Sequence, residues 1–80
     1  MKERKIMLTS MADAKEFVME ATKCDFDIDV FYNRVVIDAK SILGVLSMDL
    51  TRVLTVRMYG ENQMFEKYLT KLSPDAVRVA

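Results

Sequence analysis

No histidine and no tryptophan occur among the 80 residues of this chain. Without an imidazole there is no general base poised near neutral pH, no histidine metal ligand and no side chain able to become a phosphohistidine. Cysteine is nearly absent too. Cys24 stands alone, so no intramolecular disulfide forms, and the pattern fits a reducing compartment. With no base to activate it, this thiol reads as a small buried hydrophobe at a helix end rather than as a nucleophile. One proline and two glycines leave no glycine-rich phosphate cradle and no linker. Long apolar runs are missing as well. Ile6 to Leu8 falls short of the about 7 to 15 residues of a signal-peptide core, and nothing reaches the ~20 residues of a membrane span. The expectation is a cytoplasmic protein without membrane contact.

Neither sign of charge dominates. Twelve basic and twelve acidic residues cancel, and the basic group Lys2, Arg4, Lys5 is short and interrupted by Glu3. A nucleic-acid surface needs a basic face to neutralise phosphates, so nucleic acid is not expected as a partner. The carboxylates of Asp25, Asp27 and Asp29 would share one side of a strand, but no glycine turn or further oxygen-ligand pattern follows. They read as a solvated rim, with no metal or other cofactor. No constellation supports catalysis, and the chain is not expected to be an enzyme.

What the sequence does contain is apolar patterning. Hydrophobic residues make up 51% and charged residues 30% of the chain, which suits one folded domain over residues 1–80. Arg4 to Thr9 alternates as a half-buried strand does. At Ser10 to Asp13 the period changes. Asp13 and Glu16 give a helix-start signal with Ser10 as an alternative cap, and Ala14, Phe17, Val18 and Ala21 fall on one helical face. Asp27 to Tyr32 and Val35 to Ile37 predict two strands joined by a turn at Asn33-Arg34. Val53 to Tyr59 predicts another strand. After Gly60-Glu61-Asn62 a helix carries Met64, Phe65, Tyr68, Leu69 and Leu72 on one stripe. Ser73-Pro74 ends it, and a flexible tail is expected over about 74–80. The methionines Met48, Met58 and Met64 read as adaptable core fillers.

The most telling stretch is Asp38 to Asp49. Ser41 precedes Ile42-Leu43-Gly44-Val45-Leu46, a pattern for a short helix with the serine at its N-cap. The apolar arc is wider than a surface helix buries, so some of Ile42, Leu43 and Leu46 should face solvent. A hydroxyl beside spare aliphatics reads as a docking patch with a switch at its rim, the plain alternative being an ordinary capping serine.

Lys40-Ser41-Ile42-Leu43-Gly44-Val45-Leu46-Ser47-Met48 closely resembles the serine-centred segment of HPr, the small phosphocarrier of the bacterial phosphoenolpyruvate-dependent sugar phosphotransferase system. The similarity runs upstream without gaps to about Asp13, through Val18 to Lys23 and Tyr32-Asn33. It resumes with short deletions from Thr55 to Gly60. The resemblance implies an α+β open-faced sandwich: a four-stranded antiparallel sheet covered on one face by three helices, in the order β-α-β-β-α-β-α. It places Ser10 where the family has its phosphohistidine and Ala12 where an arginine follows, in a loop several residues shorter. A phosphoserine ester is far less labile than a phosphoramidate, so Ser10 cannot serve as a relay. In Gram-positive relatives the serine matching Ser41 is the target of a bifunctional HPr kinase/phosphorylase, and the phosphorylated protein binds a LacI-type catabolite regulator. The expected role is therefore regulatory and protein-binding, through Ser41 and the patch of Ile42, Leu43 and Leu46. The alternative is a structural or oligomerising module that has lost the chemistry. Oligomeric state is left open by the sequence.

Overall fold

Period-two alternation near the N-terminus and period 3.6 after Ser10 become the first two elements of a computed structural model that describes residues 1–78. Strand β1 is Lys2–Ile6 and helix α1 is Met11–Thr22. Strands β2 (Ile28–Tyr32) and β3 (Val35–Asp38) follow as a hairpin, then the short helix α2 (Ile42–Leu46), strand β4 (Leu54–Met58) and helix α3 (Gln63–Lys71). The strands form one sheet in the order β1-β4-β2-β3, antiparallel at every contact. The helices pack on one side of it, so the α+β open-faced sandwich is the fold.

Register explains which strand residues the helices cover. Ile6 pairs with Leu54, and Val30 with both Val56 and Ile37. Side chains alternate between sheet faces, so Ile6, Ile28, Val30, Leu54, Val56 and Met58, each at most 1% exposed, form the inner layer. Onto it α1 lowers Ala14, Phe17, Val18 and Ala21, and α3 lowers Phe65 and Leu69. The Phe17 and Phe65 rings meet at 6.2 Å between centroids, tilted by 38°. At roughly 1.5–3 kcal/mol for each large apolar side chain fully buried, this one layer is the main favourable term for so small a domain.

The opposite sheet face is uncovered and polar. Arg57 Nε donates to Glu3 Oε2 at 2.7 Å, and its guanidinium lies 4.7 Å from the centre of the Phe31 ring. Next to this pair Lys5 Nζ donates to the Thr55 hydroxyl at 2.6 Å. The glutamate and tyrosine beside Arg57 hold its guanidinium protonated even more firmly than usual.

Several boundaries move from their expected places. Strand β1 stops at Ile6 rather than Thr9, because the Met7 N–H leaves the sheet to donate to the Leu72 carbonyl at 2.7 Å. Leu8, 1% exposed, turns into the core. At the start of α1 the cap is Ser10, whose Oγ accepts from the Asp13 N–H. Asp13 instead ties back the preceding residue, accepting from the Thr9 N–H at 3.0 Å and from its hydroxyl. Of the turn residues only Asn33 has positive φ, 51°. That is the sign pattern of a type II′ turn rather than a type I′, and it relieves Arg34 of a left-handed conformation. The expected tail also needs correction. Residues Pro74–Arg78, within that tail, form a short further helix, α4, after the three expected ones. Ser73 Oγ accepts from the Ala76 N–H at 3.2 Å, and Pro74 occupies the first helical position, where its missing N–H costs nothing. Residues 79–80, the remainder of that tail, lie outside the described part.

Candidate functional site

Helix α2 starts where the chain leaves the sheet edge at Asp38. The Asp38 carbonyl accepts from the Ser41 N–H at 2.9 Å, and one Asp38 carboxylate oxygen accepts from the Lys40 N–H at 2.9 Å. Lys40 folds back, its ammonium donating to the Cys24 carbonyl at 2.8 Å. These bonds set Ser41 in extended backbone, φ −98° and ψ 104°, as the N-cap. Its Oγ accepts from the Gly44 N–H at 3.2 Å. The residue is exposed, and its hydroxyl proton has no acceptor among the described residues.

The five residues of α2 divide by direction. Val45 is fully buried in the core and Leu46 is half-buried against it, while Ile42 is 37% and Leu43 79% exposed. The expected patch is thus two exposed side chains, Ile42 and Leu43, with Leu46 at its inner margin. Gly44 lets the helix lie close on the sheet: a Cβ there would stand 2.6 Å from Ile37 Cγ2 and 3.1 Å from Ser41 Oγ. At the far end Ser47 donates its hydroxyl to the Gly44 carbonyl at 2.6 Å. Met48 then drops into the core. In the turn beyond, the Thr51 hydroxyl and then its N–H donate to Asp49 and hold that carboxyl below the usual carboxylate range, with Arg52 helping.

Ser10 lies at a different helix start. It is exposed, and its Oγ accepts from the Asp13 N–H at 3.1 Å. The ionic group built into that turn is the Asp13 carboxylate, which opposes added negative charge. The aspartate triplet does not assemble. Only Asp29 belongs to a strand, where Tyr59 donates to it at 3.4 Å. Among the described residues no three histidine, cysteine or carboxylate side chains cluster as metal ligands would. Cys24 is 4% exposed, and burial pushes its thiol up against the lowering influence of Lys40. Met48 and Met58 are buried, whereas Met64 is 76% exposed and fills no core gap. No helix among the described residues is long and apolar enough to cross a membrane.

Sequence reading missed the ionic cluster joining β1 to α3. Glu66 accepts from Lys2 Nζ at 3.3 Å and from Arg4 at 3.2 Å, with Glu61 on Lys2 at 3.2 Å. These partners are about sixty positions apart in the chain, and no local pattern links them. The two glutamates keep the Lys2 ammonium protonated to higher pH than usual.

No family model matches the sequence, and no curated protein matches it. Solved structures do. HPr-C-His from Thermoanaerobacter tengcongensis superposes with a TM-score of 0.74 and 26% identity, over 89% of either chain. The phosphocarrier protein HPr from Bacillus anthracis str. Ames gives 0.69 and 20% identity, over 90% of this chain and 96% of its own. The fold is therefore that of the HPr phosphocarriers.

Proposed function

We propose that this chain is an HPr-like protein of the phosphotransferase-system family that carries no phosphohistidine and acts in regulation through Ser41. HPr proteins are carriers that hand phosphate between protein partners and are not themselves enzymes. Here the carrier chemistry has no imidazole to use. The observation that supports a regulatory role is the exposed Ser41 hydroxyl beside exposed Ile42 and Leu43. Transfer of the γ-phosphoryl group of ATP to Ser41 Oγ, with the hydroxyl proton passing to the kinase, adds a charge of about −1.5 to −2 beside two aliphatic side chains. That charge favours an arginine-bearing partner and opposes an acidic one. The partners fitting this role are an HPr kinase/phosphorylase and a LacI-type catabolite regulator, in the cytoplasm.

Incubation with an HPr kinase and ATP should add the mass of one phosphate, and Ser41→Ala should abolish the addition. An unchanged intact mass, under conditions that fully modify an authentic HPr, would refute the role. The 79% exposure of Leu43 also favours a second reading, a structural or oligomerising module without phosphorylation. In that case Leu43→Asp abolishes self-association and Ser41→Ala leaves it unchanged, as sedimentation would show.

A further inference from the structure

The two edges of the sheet are built differently. Edge strand β1 has the sequence Lys-Glu-Arg-Lys-Ile, with four charged residues in succession, and its end is drawn off to Leu72. Charges and early termination are how native sheets blunt an edge. Edge strand β3 is Val-Val-Ile-Asp, without lysine or proline; Val35 is 41% and Val36 58% exposed. Among the described residues nothing pairs with its outer side, since the sheet order ends there.

Hydrogen-bond phase says which groups that outer side presents. The hairpin pairs Tyr32 with Val35 and Val30 with Ile37, and beyond them the Ala39 N–H donates to the Ile28 carbonyl at 2.9 Å. Along an antiparallel strand the backbone groups alternate in direction. Val35, Ile37 and Ala39 therefore point their N–H groups toward β2, and Val36 and Asp38 point theirs outward. The Asp38 carbonyl already receives the Ser41 N–H, which leaves the Val36 N–H and C=O as the unshared pair at the centre of the edge.

We infer that this edge pairs with the same edge of a second copy, antiparallel about a twofold axis at Val36. Centred there, Val36 faces Val36 of the second copy and the two exchange both backbone hydrogen bonds, the phase an antiparallel pair requires. The same register sets Arg34 opposite the second copy's Asp38, twice by symmetry, and sets Val35 opposite Ile37. The strand is thus complementary to itself in shape, hydrogen-bond phase and charge, as an isologous interface must be. Opposite charges facing each other across strands stabilise, and like charges there destabilise. Because the axis runs perpendicular to the sheet, the two domains form one eight-stranded sheet with both helical layers on the same side. The contact is one short strand per copy, so the dimer is weak and reversible. It requires no phosphate on Ser41.

Sedimentation equilibrium of the full chain tests this. The weight-average mass should rise from 9.2 kDa toward twice that value between about 10 μM and about 1 mM, the range of a small transient interface. Arg34→Glu sets like charges opposite each other twice and should weaken association by about tenfold. Asp38→Lys should do the same. An equimolar mixture of the two variants restores opposite charges at both positions and should recover the dimer. Asp38 also binds the Lys40 N–H, so if Asp38→Lys fails to fold, Val36→Lys takes its place. That variant sets two ammonium groups face to face on the axis and should leave a monomer. A chain that stays monomeric to 1 mM overturns the inference. So does a dimer that is indifferent to Arg34→Glu and lost in Leu43→Asp.

Discussion

Ser41 illustrates how one side chain serves the fold before it serves a partner. Its Oγ satisfies the Gly44 N–H, one of the donors that the start of α2 would otherwise leave unpaired. Ser41→Ala should therefore lower the unfolding free energy by about 1 kcal/mol, whereas Ser41→Asp, a good cap, should cost far less. Urea titration of both variants checks this and separates a capping defect from a loss of phosphorylation. Tyr68 is a different case. Its hydroxyl is buried between α1 and α3 with no protein partner in hydrogen-bonding geometry, although Glu16 lies near. Burial raises its ionisation well above the ordinary value of 10, and Glu16, Asp13 and Glu20 reinforce the shift. A phenol whose folded-state pKa is raised contributes stability that is complete below the unfolded value and declines as pH climbs through it. Thermal melts should show wild-type stability falling above pH 10. Tyr68→Phe should fall less steeply there, retaining the decline that Lys2 and its glutamates contribute, and should lose little at neutral pH, since no hydrogen bond is broken.

Elements show what a local pattern discloses and what it conceals. Helix α1 was readable because Ala14, Phe17, Val18 and Ala21 repeat at helical spacing and all four are buried. Helix α2 was readable from its serine and its excess of aliphatics. The place where β1 ends was not, because it depends on Met7 finding the Leu72 carbonyl, a contact across nearly the whole chain. Helix α4 was hidden by the familiar rule that proline stops a helix, which is equally the rule that proline starts one. Gly60 was read as a turn residue and Gly44 as part of the short helix, and neither has positive φ. Each is present for what it lacks. At Gly60 a Cβ would lie 2.5 Å from the Phe26 ring, as Gly44 would crowd Ile37. Alanine is the better helix former by about 1 kcal/mol, so propensity alone says that Gly44→Ala stabilises. Ile37 is β-branched and stiff, and the overlap should win. Gly44→Ala is expected to lose about 1–3 kcal/mol, and a lower melting temperature than wild type would verify it. For the candidate site, the residue types were legible in the sequence, and so was the expectation that some of the α2 aliphatics face solvent, though not that Ile42 is one of them. Their geometry was not, because it depends on how closely α2 lies against β3.

At the scale of the whole molecule, non-local pairing dominates. Lys2 lies opposite Met58 and Ile6 opposite Leu54, so β1 closes the sheet against a strand some fifty positions later. Contacts of that span slow folding, because their chain entropy is lost before they contribute. The local units, α1 and the β2–β3 hairpin, have no such cost, and neither buries enough apolar surface to persist alone.

The pairing of the first strand with the fourth also reaches into biosynthesis. On the ribosome the N-terminal strand emerges first and waits, its amides open to solvent, until β4 has left the exit tunnel. Emergence of β4, which both β1 and β2 flank, rather than gradual vectorial assembly, sets the moment at which this sheet can close.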